Sequence, residues 1–436
     1  MSAFTILFAF GVISFAIRSK LALKFSSLAA LVAAGYLTLN AYPLPLNGFS
    51  LTAGVALFEV VLFIVLGAAV LNEDENVSVT QTIFIGAASV ALLESATLLN
   101  FVISFEALSI VSFVLVANIK NATEASGAVK MFIAGSIATA FIVLGAAFYL
   151  FEGHPLNAPL QNVAAFGSVG LWMALTGLFY KLTIVPAHSW AADSYAQIKP
   201  SHAALLSGAA KTVAALAVFK TFSPFLLQNL ELNAPILIGL SILTMTLGNF
   251  LALFSKKVSK ILAYSSIAHA GYMLLAFVAV KSGYASTGLL YVAIAYVFTQ
   301  SALFTLLGNL RKDASELTLE DLKGLGSKDK VTALIFTVQL FSLAGVPLLA
   351  GFISKAVLVY AVVDADLPIV ALLTLLNSAL SVAYYAWIVK HVYFDDATLA
   401  YDLKGLKAAP LLAQLVLLGG TIYFGVFAFG VFDVVL

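Results

Sequence analysis

Three lysines stand inside apolar runs where an ammonium group is expensive: Lys181 in GLFYKLTIV, Lys211 in ALLSGAAKTVAALAVF and Lys355 in FSLAGVPLLAGFISKAVLVY. Glu106 is set in the same way in TLLNFVISFEALSIVSFVLVA, and His269 in KILAYSSIAHAGYMLLAF. An ionisable group in the middle of an apolar span faces a polar cavity or a partner charge and is a functional candidate by default. A lone buried carboxylate takes up a proton, whereas a nearby lysine opposes that, so the proton affinity of such a pair depends on its separation. A histidine with an unperturbed pKa of about 6.5 carries a proton readily at neutral pH. Together these residue types can bind a proton and pass it on. The plainer alternatives are a lysine snorkelling from a helix end, which suits Lys220 but not Lys181, and a protonated Glu106 bonded to a neighbouring helix.

Other groups are secondary. Lys130 opens the run KMFIAGSIATAF and can be interfacial; Tyr264 accompanies His269, with Ser265, Ser266 and Tyr272 suggesting a wet interior. His188 reads as structural, near a helix end, and His202, His154 and His391 read as interfacial, as does Glu94. Glu59, deep in VALFEVVLFIVLG, has no partner visible in the sequence. Pro186 follows Lys181 and Pro347 precedes Lys355, and each interrupts its run. Broken helices persist in a bilayer only where protein or water satisfies the freed backbone.

The elements that must position these groups are membrane spans. Only 10% of the 436 residues are charged and 62% are hydrophobic, against about 25% charged in soluble domains, so the chain is a polytopic, all-α membrane protein. The net charge of +1 says nothing of nucleic-acid binding, and the lack of cysteine excludes disulfides and thiolate-held iron–sulfur clusters. The N-terminal run has no basic stretch before it and reads as a first span rather than a signal peptide. Spans of about 20 apolar residues can be laid down fourteen times. Sixteen of the 22 lysines and arginines then lie in or beside loops that follow odd-numbered spans, while only Lys220 and Lys281 lie beside even-numbered ones. That imbalance puts the odd loops in the cytoplasm and both termini on the other face.

Spans 4–8 and 9–13 form two sets of five, and an odd number inverts the second set relative to the first. The expected divisions are an N-terminal three-helix segment (1–78), two five-helix repeats (79–223 and 231–393) and a C-terminal helix (404–436). Spans 7 and 12 are the broken ones. The insert 311–330 alternates acids and bases and reads as a solvated loop, because its GLGSK lacks phosphate-loop spacing. Neither a dinucleotide fingerprint nor a spaced metal-ligand set occurs.

The passages SFEALS, FYKLTIVPAHSWAADSY, LAYSSIAHAGYM and FSLAGVPLLAGFISK, in this order over about residues 80–392, resemble the antiporter-like membrane subunits of respiratory complex I. Multisubunit sodium/proton antiporters and membrane-bound hydrogenases share this ancestry. The resemblance implies fourteen helices, inverted repeats and broken helices 7 and 12. It makes Glu106 and Lys181 the paired charges, Lys211 the connecting lysine, His269 a relay residue and Lys355 the terminal one. SYAQIKPSHAAL departs from the family's usual run at Lys199 and His202. LAYSSIAHAGY looks most like the N-type subunit, next to the redox arm.

The implied function is proton translocation driven by redox chemistry in partner subunits, with no cofactor in this chain. The implied partners are antiporter-like paralogues, a quinone-site subunit and the lipid bilayer. The alternatives are a subunit of a sodium/proton antiporter or of a membrane-bound hydrogenase, and a helix scaffold whose lysines only lock subunits together.

Overall fold

A computed structural model describes residues 3–41, 51–117, 122–160, 163, 165–310, 317–396 and 406–428. Among the described residues no strand forms beyond an isolated bridge between Lys257 and Thr318. The chain enters through α1 (Ala3–Ser14), α2 (Lys20–Ala41) and α3 (Leu51–Asn72). A first set of five follows: α4 (Asn76–Leu93), α5 (Leu98–Val116), α6 (Ala122–Phe151), the interrupted pair α7a (Ala165–Leu182) and α7b (Ser189–Gln197), and α8 (Pro200–Gln228). The second set is α9 (Leu230–Leu253), α10 (Val258–Val278), α11 (Ala285–Leu310), the interrupted pair α12a (Lys330–Ala344) and α12b (Ala350–Asp364), and α13 (Pro368–Tyr393). The last helix is α14 (Ala408–Val426). Among the described residues, eleven helices are long and apolar enough to span a bilayer unaided; α1, α7a and the α12 pair make up the fourteen expected passages.

The connections sort by parity. At one end Lys20 pairs with Asp74 at 2.5 Å, Lys199 with Glu73 at 2.7 Å, and Asn309 donates to Asn72 at 3.1 Å. These contacts join the segments after α1, α3, α7 and α11. At the other end Leu99 N–H donates to Leu156 O at 2.8 Å, Gln228 to Val163 O at 2.8 Å, and Lys281 pairs with Asp366 at 3.0 Å. Consequently α4 starts at the first end and α9 at the second, and the two sets run in opposite directions. Each has a broken helix as its fourth member.

Helices α8, α10 and α11 are almost wholly buried. The outer helices turn Leu, Ile, Val and Phe side chains outward, among them Phe25, Val32, Ile103, Ile110, Phe132 and Leu372. Such a surface suits lipid, where every backbone group must be satisfied within the protein.

Both breaks meet that requirement locally. At the end of α7a, Thr183 takes a positive φ of 66°, and the carbonyls of Phe179 and Tyr180 accept from the N–H groups of Ile184 and Thr183. The Trp190 indole reaches back to Tyr180 O at 3.1 Å, and Val185 N–H donates to Thr244 Oγ1 at 3.1 Å. At the end of α12a, Gly345 adopts φ 91°, the left-handed conformation in which glycine ends helices. Gly345 N–H donates to the carbonyls of Phe341 and Ser342, and Val346 N–H also reaches Phe341 O. Gly351 N–H then donates to Ser342 Oγ at 3.1 Å. A Cβ on Gly351 would overlap the Ser342 carbonyl oxygen, so Gly351→Val should strip folded protein from the membrane. Quantifying the subunit by immunoblot against the parent checks this.

Candidate functional site

Lys181 occupies the last turn of α7a, facing Glu106 in the middle of α5. Its Nζ lies 3.8 Å from Glu106 Oε1, too long for a direct hydrogen bond. The other carboxylate oxygen accepts from Thr139 Oγ1 on α6 at 2.7 Å. The ammonium group rests 4.7 Å from the centre of the Phe105 ring and 5.9 Å from that of Phe113, where ring quadrupoles attract a cation. Charge and ring faces hold it; no hydrogen bond does.

Lys211 is held in the opposite manner. Its Nζ donates to Thr183 Oγ1 at 2.9 Å and to Ser266 Oγ at 2.6 Å, with Ser266 O at 3.3 Å. Thr183 is the strained residue of the α7 break, so that break supplies a ligand to the lysine of the next helix. A π-helical turn, Ala204–Ala210, immediately precedes Lys211, and such turns recur at functional sites. Between Lys181 and Lys211 lies a cavity of about 70 Å³ that Ser109, Ser112 and Tyr195 also line. It has room for several waters.

From Lys211 the polar groups continue through the buried interior. Ser207 Oγ lies 3.3 Å from Ser266 Oγ and 3.4 Å from the Tyr296 hydroxyl, and Gln300 donates to it at 3.0 Å. The Tyr296 and His269 ring centres are 5.0 Å apart. His269 Nδ1 is 2.9 Å from Ser265 O, which assigns the proton to Nδ1 and leaves Nε2 free to accept. Beyond it a space of about 10 Å³, at the limit for one water, separates His269 from Lys355. Lys355 Nζ donates to Leu343 O at 2.8 Å, Ala344 O at 3.0 Å and Ser378 Oγ at 3.0 Å. All three of its donors are used.

Glu106, Lys181, Lys211, His269 and Lys355 therefore succeed one another across both sets of helices. The secondary candidates stand apart from that line. Lys130 pairs with Asp193 on α7b at 2.6 Å, and Asp193 also pairs with Lys260 of α10 at 3.0 Å. This bridge ties the two sets together. Its members are partly exposed, and such pairs contribute about 0.2–1 kcal/mol each. Asp193→Asn should thus lower the melting temperature of the extracted protein only slightly, and less so at high salt, as a thermal scan at two ionic strengths would show.

Tyr264 packs against the core, partly buried. His188 folds onto its own break, with Nδ1 3.2 Å from Pro186 O, while Pro186 and Pro347 sit in the two interruptions. Glu59 is buried and accepts from Thr38 Oγ1 at 3.0 Å, a partner from α2 that the sequence does not reveal. His202 and His391, near helix ends, are buried: His202 Nε2 lies 3.3 Å from Ser78 Oγ, and His391 lies 3.6 Å from Asp395. Lys220 caps the end of α4 by donating to Leu93 O at 2.8 Å.

Residues 95–381 match the family described as NADH:quinone oxidoreductase/Mrp antiporter, TM. The chain belongs to this family. All five members of the line fall within the matched residues, whereas Glu59 lies outside. A relative named NADH-quinone oxidoreductase subunit N, from Trichlorobacter lovleyi, is 30% identical over 94% of this chain and 89% of its own length. F(420)H(2) dehydrogenase subunit N of Methanosarcina mazei is 32% identical over 74% of this chain and 69% of its own. A chain of respiratory complex I from Thermus thermophilus superposes with a TM-score of 0.86 over 99% of this chain and 98% of that one, at 24% identity. The chain has the antiporter-like fold of these membrane complexes and is an integral, multi-pass membrane protein.

Sequence reasoning passed over four of the groups that hold the buried and half-buried charges here, Thr139, Thr183, Asp193 and Ser378, and read Ser266 only as polar company for His269. Asp193 lies within the quoted FYKLTIVPAHSWAADSY and was open to notice as an acid among apolar residues. The hydroxyls give no such signal, because serine and threonine are common in spans.

Proposed function

We propose that this chain is a proton-translocating membrane-arm subunit of a complex I-type quinone oxidoreductase. It moves protons through Glu106, Lys181, Lys211, His269 and Lys355, and partner subunits drive it by their redox chemistry. The observation that carries this reading is the contrast between the lysines. Lys181 faces its carboxylate across 3.8 Å without a directed bond, while Lys211 and Lys355 are each anchored by hydrogen bonds. The first pair can change its separation at little cost, and a change in separation alters how strongly it holds a proton. The anchored lysines receive and pass on that proton.

Its partners are antiporter-like paralogues and a quinone-site subunit within one assembly. The excess of basic residues around the odd-numbered connections supports placing that end in the cytoplasm and both termini opposite. The two curated relatives are named for different electron donors, NADH and F(420)H(2), consistent with donor chemistry residing in other subunits. Gentle extraction from native membranes, with identification of the co-purifying subunits by mass spectrometry, tests the assignment. Quinone-reductase and iron–sulfur subunits support it. Isolation with sodium/proton antiporter subunits alone would overturn it in favour of gradient-driven exchange.

A further inference from the structure

Between His269 and Lys355 the succession of hydrogen bonds is interrupted, and one side chain stands in the gap. Tyr272 lies one turn beyond His269 on α10, with ring centres 5.6 Å apart. It is 2% exposed, and its hydroxyl has no hydrogen-bond partner. The Lys355 ammonium lies 5.3 Å from the centre of its ring. Both residues line the small space that His269 also borders. Asn249, Ser378 and Tyr384 are polar side chains near the phenol, none of them in hydrogen-bonding geometry with it, and Ser378 already accepts from Lys355 at 3.0 Å. A buried hydroxyl without a partner costs about 1–3 kcal/mol, and phenylalanine would fill the same volume without that cost. The phenol is therefore not explained by packing.

We propose that the Tyr272 phenol passes protons between His269 and Lys355 by way of Ser378. This rests on the relay reading above. A tyrosine O–H both donates and accepts, so it can take one proton and release another without bearing lasting charge. In the step, the Nε2–H bond of a protonated His269 breaks and an O–H bond forms on Tyr272, across the one water that the space admits. The original Tyr272 O–H breaks as its proton moves to the Ser378 oxygen. The Ser378 O–H breaks in turn as its proton joins unprotonated Lys355 Nζ. One proton leaves the imidazolium, one arrives at the lysine, and no electrons change hands. Rotation of the two hydroxyls resets the path.

The test compares Tyr272→Phe, Ser378→Ala and Lys355→Arg in the assembled complex in native membranes. Protons moved per electron pair are read together with electron-transfer rate and assembly. Tyr272→Phe keeps the ring beneath Lys355, so it should assemble and pass electrons while its proton ratio falls to that of Lys355→Arg. Ser378→Ala should fall to the same level and serves as the second variant should Tyr272→Phe fail to assemble. The remaining proton movement should lose the solvent deuterium dependence of the parent, which a packing role would leave in place. A normal proton ratio in Tyr272→Phe or Ser378→Ala, alongside a lowered one in Lys355→Arg, overturns this proposal alone. A normal ratio in Lys355→Arg overturns the relay reading beneath it.

Discussion

Replacing Lys181 with alanine is expected to abolish proton movement through this subunit while leaving the assembly intact and competent in electron transfer. The structural loss is small because Lys181 makes no hydrogen bond that its removal would orphan. The functional loss is large for the same reason. At roughly 4 Å and an effective dielectric constant near 20, two unit charges attract by about 4 kcal/mol, and doubling the distance halves that. A displacement of a few ångströms in an unbonded pair can therefore change its hold on a proton substantially. Without the lysine, Glu106 keeps its Thr139 bond but has no partner whose approach alters it. Lys181→Arg should be nearly as poor, since guanidinium is effectively never deprotonated. Proton uptake measured beside quinone reduction separates these outcomes from a failure to assemble.

Lys355→Ala should behave differently, with proton movement and stability failing together. Lys355 satisfies the carbonyls of Leu343 and Ala344, the final two of α12a, from the far side of the break. The preceding two carbonyls are satisfied by Gly345 and Val346. Removing the ammonium leaves two buried acceptors unpaired, at about 1–3 kcal/mol each, a large share of the about 5–15 kcal/mol that holds a typical domain together. The extracted complex should lose activity on heating well before the parent does. Lys355→Arg keeps donors within reach of those carbonyls but holds its charge permanently, so it should restore heat resistance without restoring proton movement. Equal heat resistance in Lys355→Ala and the parent would contradict the capping role.

Much of this was legible before any coordinates. Charges at mid-span, the parity of basic residues and the two prolines each follow from the cost of polar groups in hydrocarbon, and that cost is written one residue at a time. What was not legible depends on contacts between distant segments. Thr183 serves Lys211, and Ser266 joins it from a helix 55 residues further on. The π-helical turn before Lys211 packs against α11, a contact between distant segments that ALLSGAA does not reveal. His202 and Glu59 read as interfacial and unassignable because Ser78 and Thr38, the groups that accommodate them, lie on other helices. Tyr272 was visible only as polar company for His269; its bare hydroxyl appears once α9, α12b and α13 close around it.

Within the line of charges, Lys211 is the member that bridges the two inverted sets, because its Nζ joins Thr183 of the first to Ser266 of the second. The most direct measurement is the number of protons moved per electron pair by the Lys211→Met variant, per assembled complex, in native membranes. Methionine fills a similar volume without a proton to give. A relay running from Glu106 to Lys355 predicts a lowered ratio with electron transfer preserved. An unchanged ratio would contradict it, because protons would then be crossing by a path that avoids the junction.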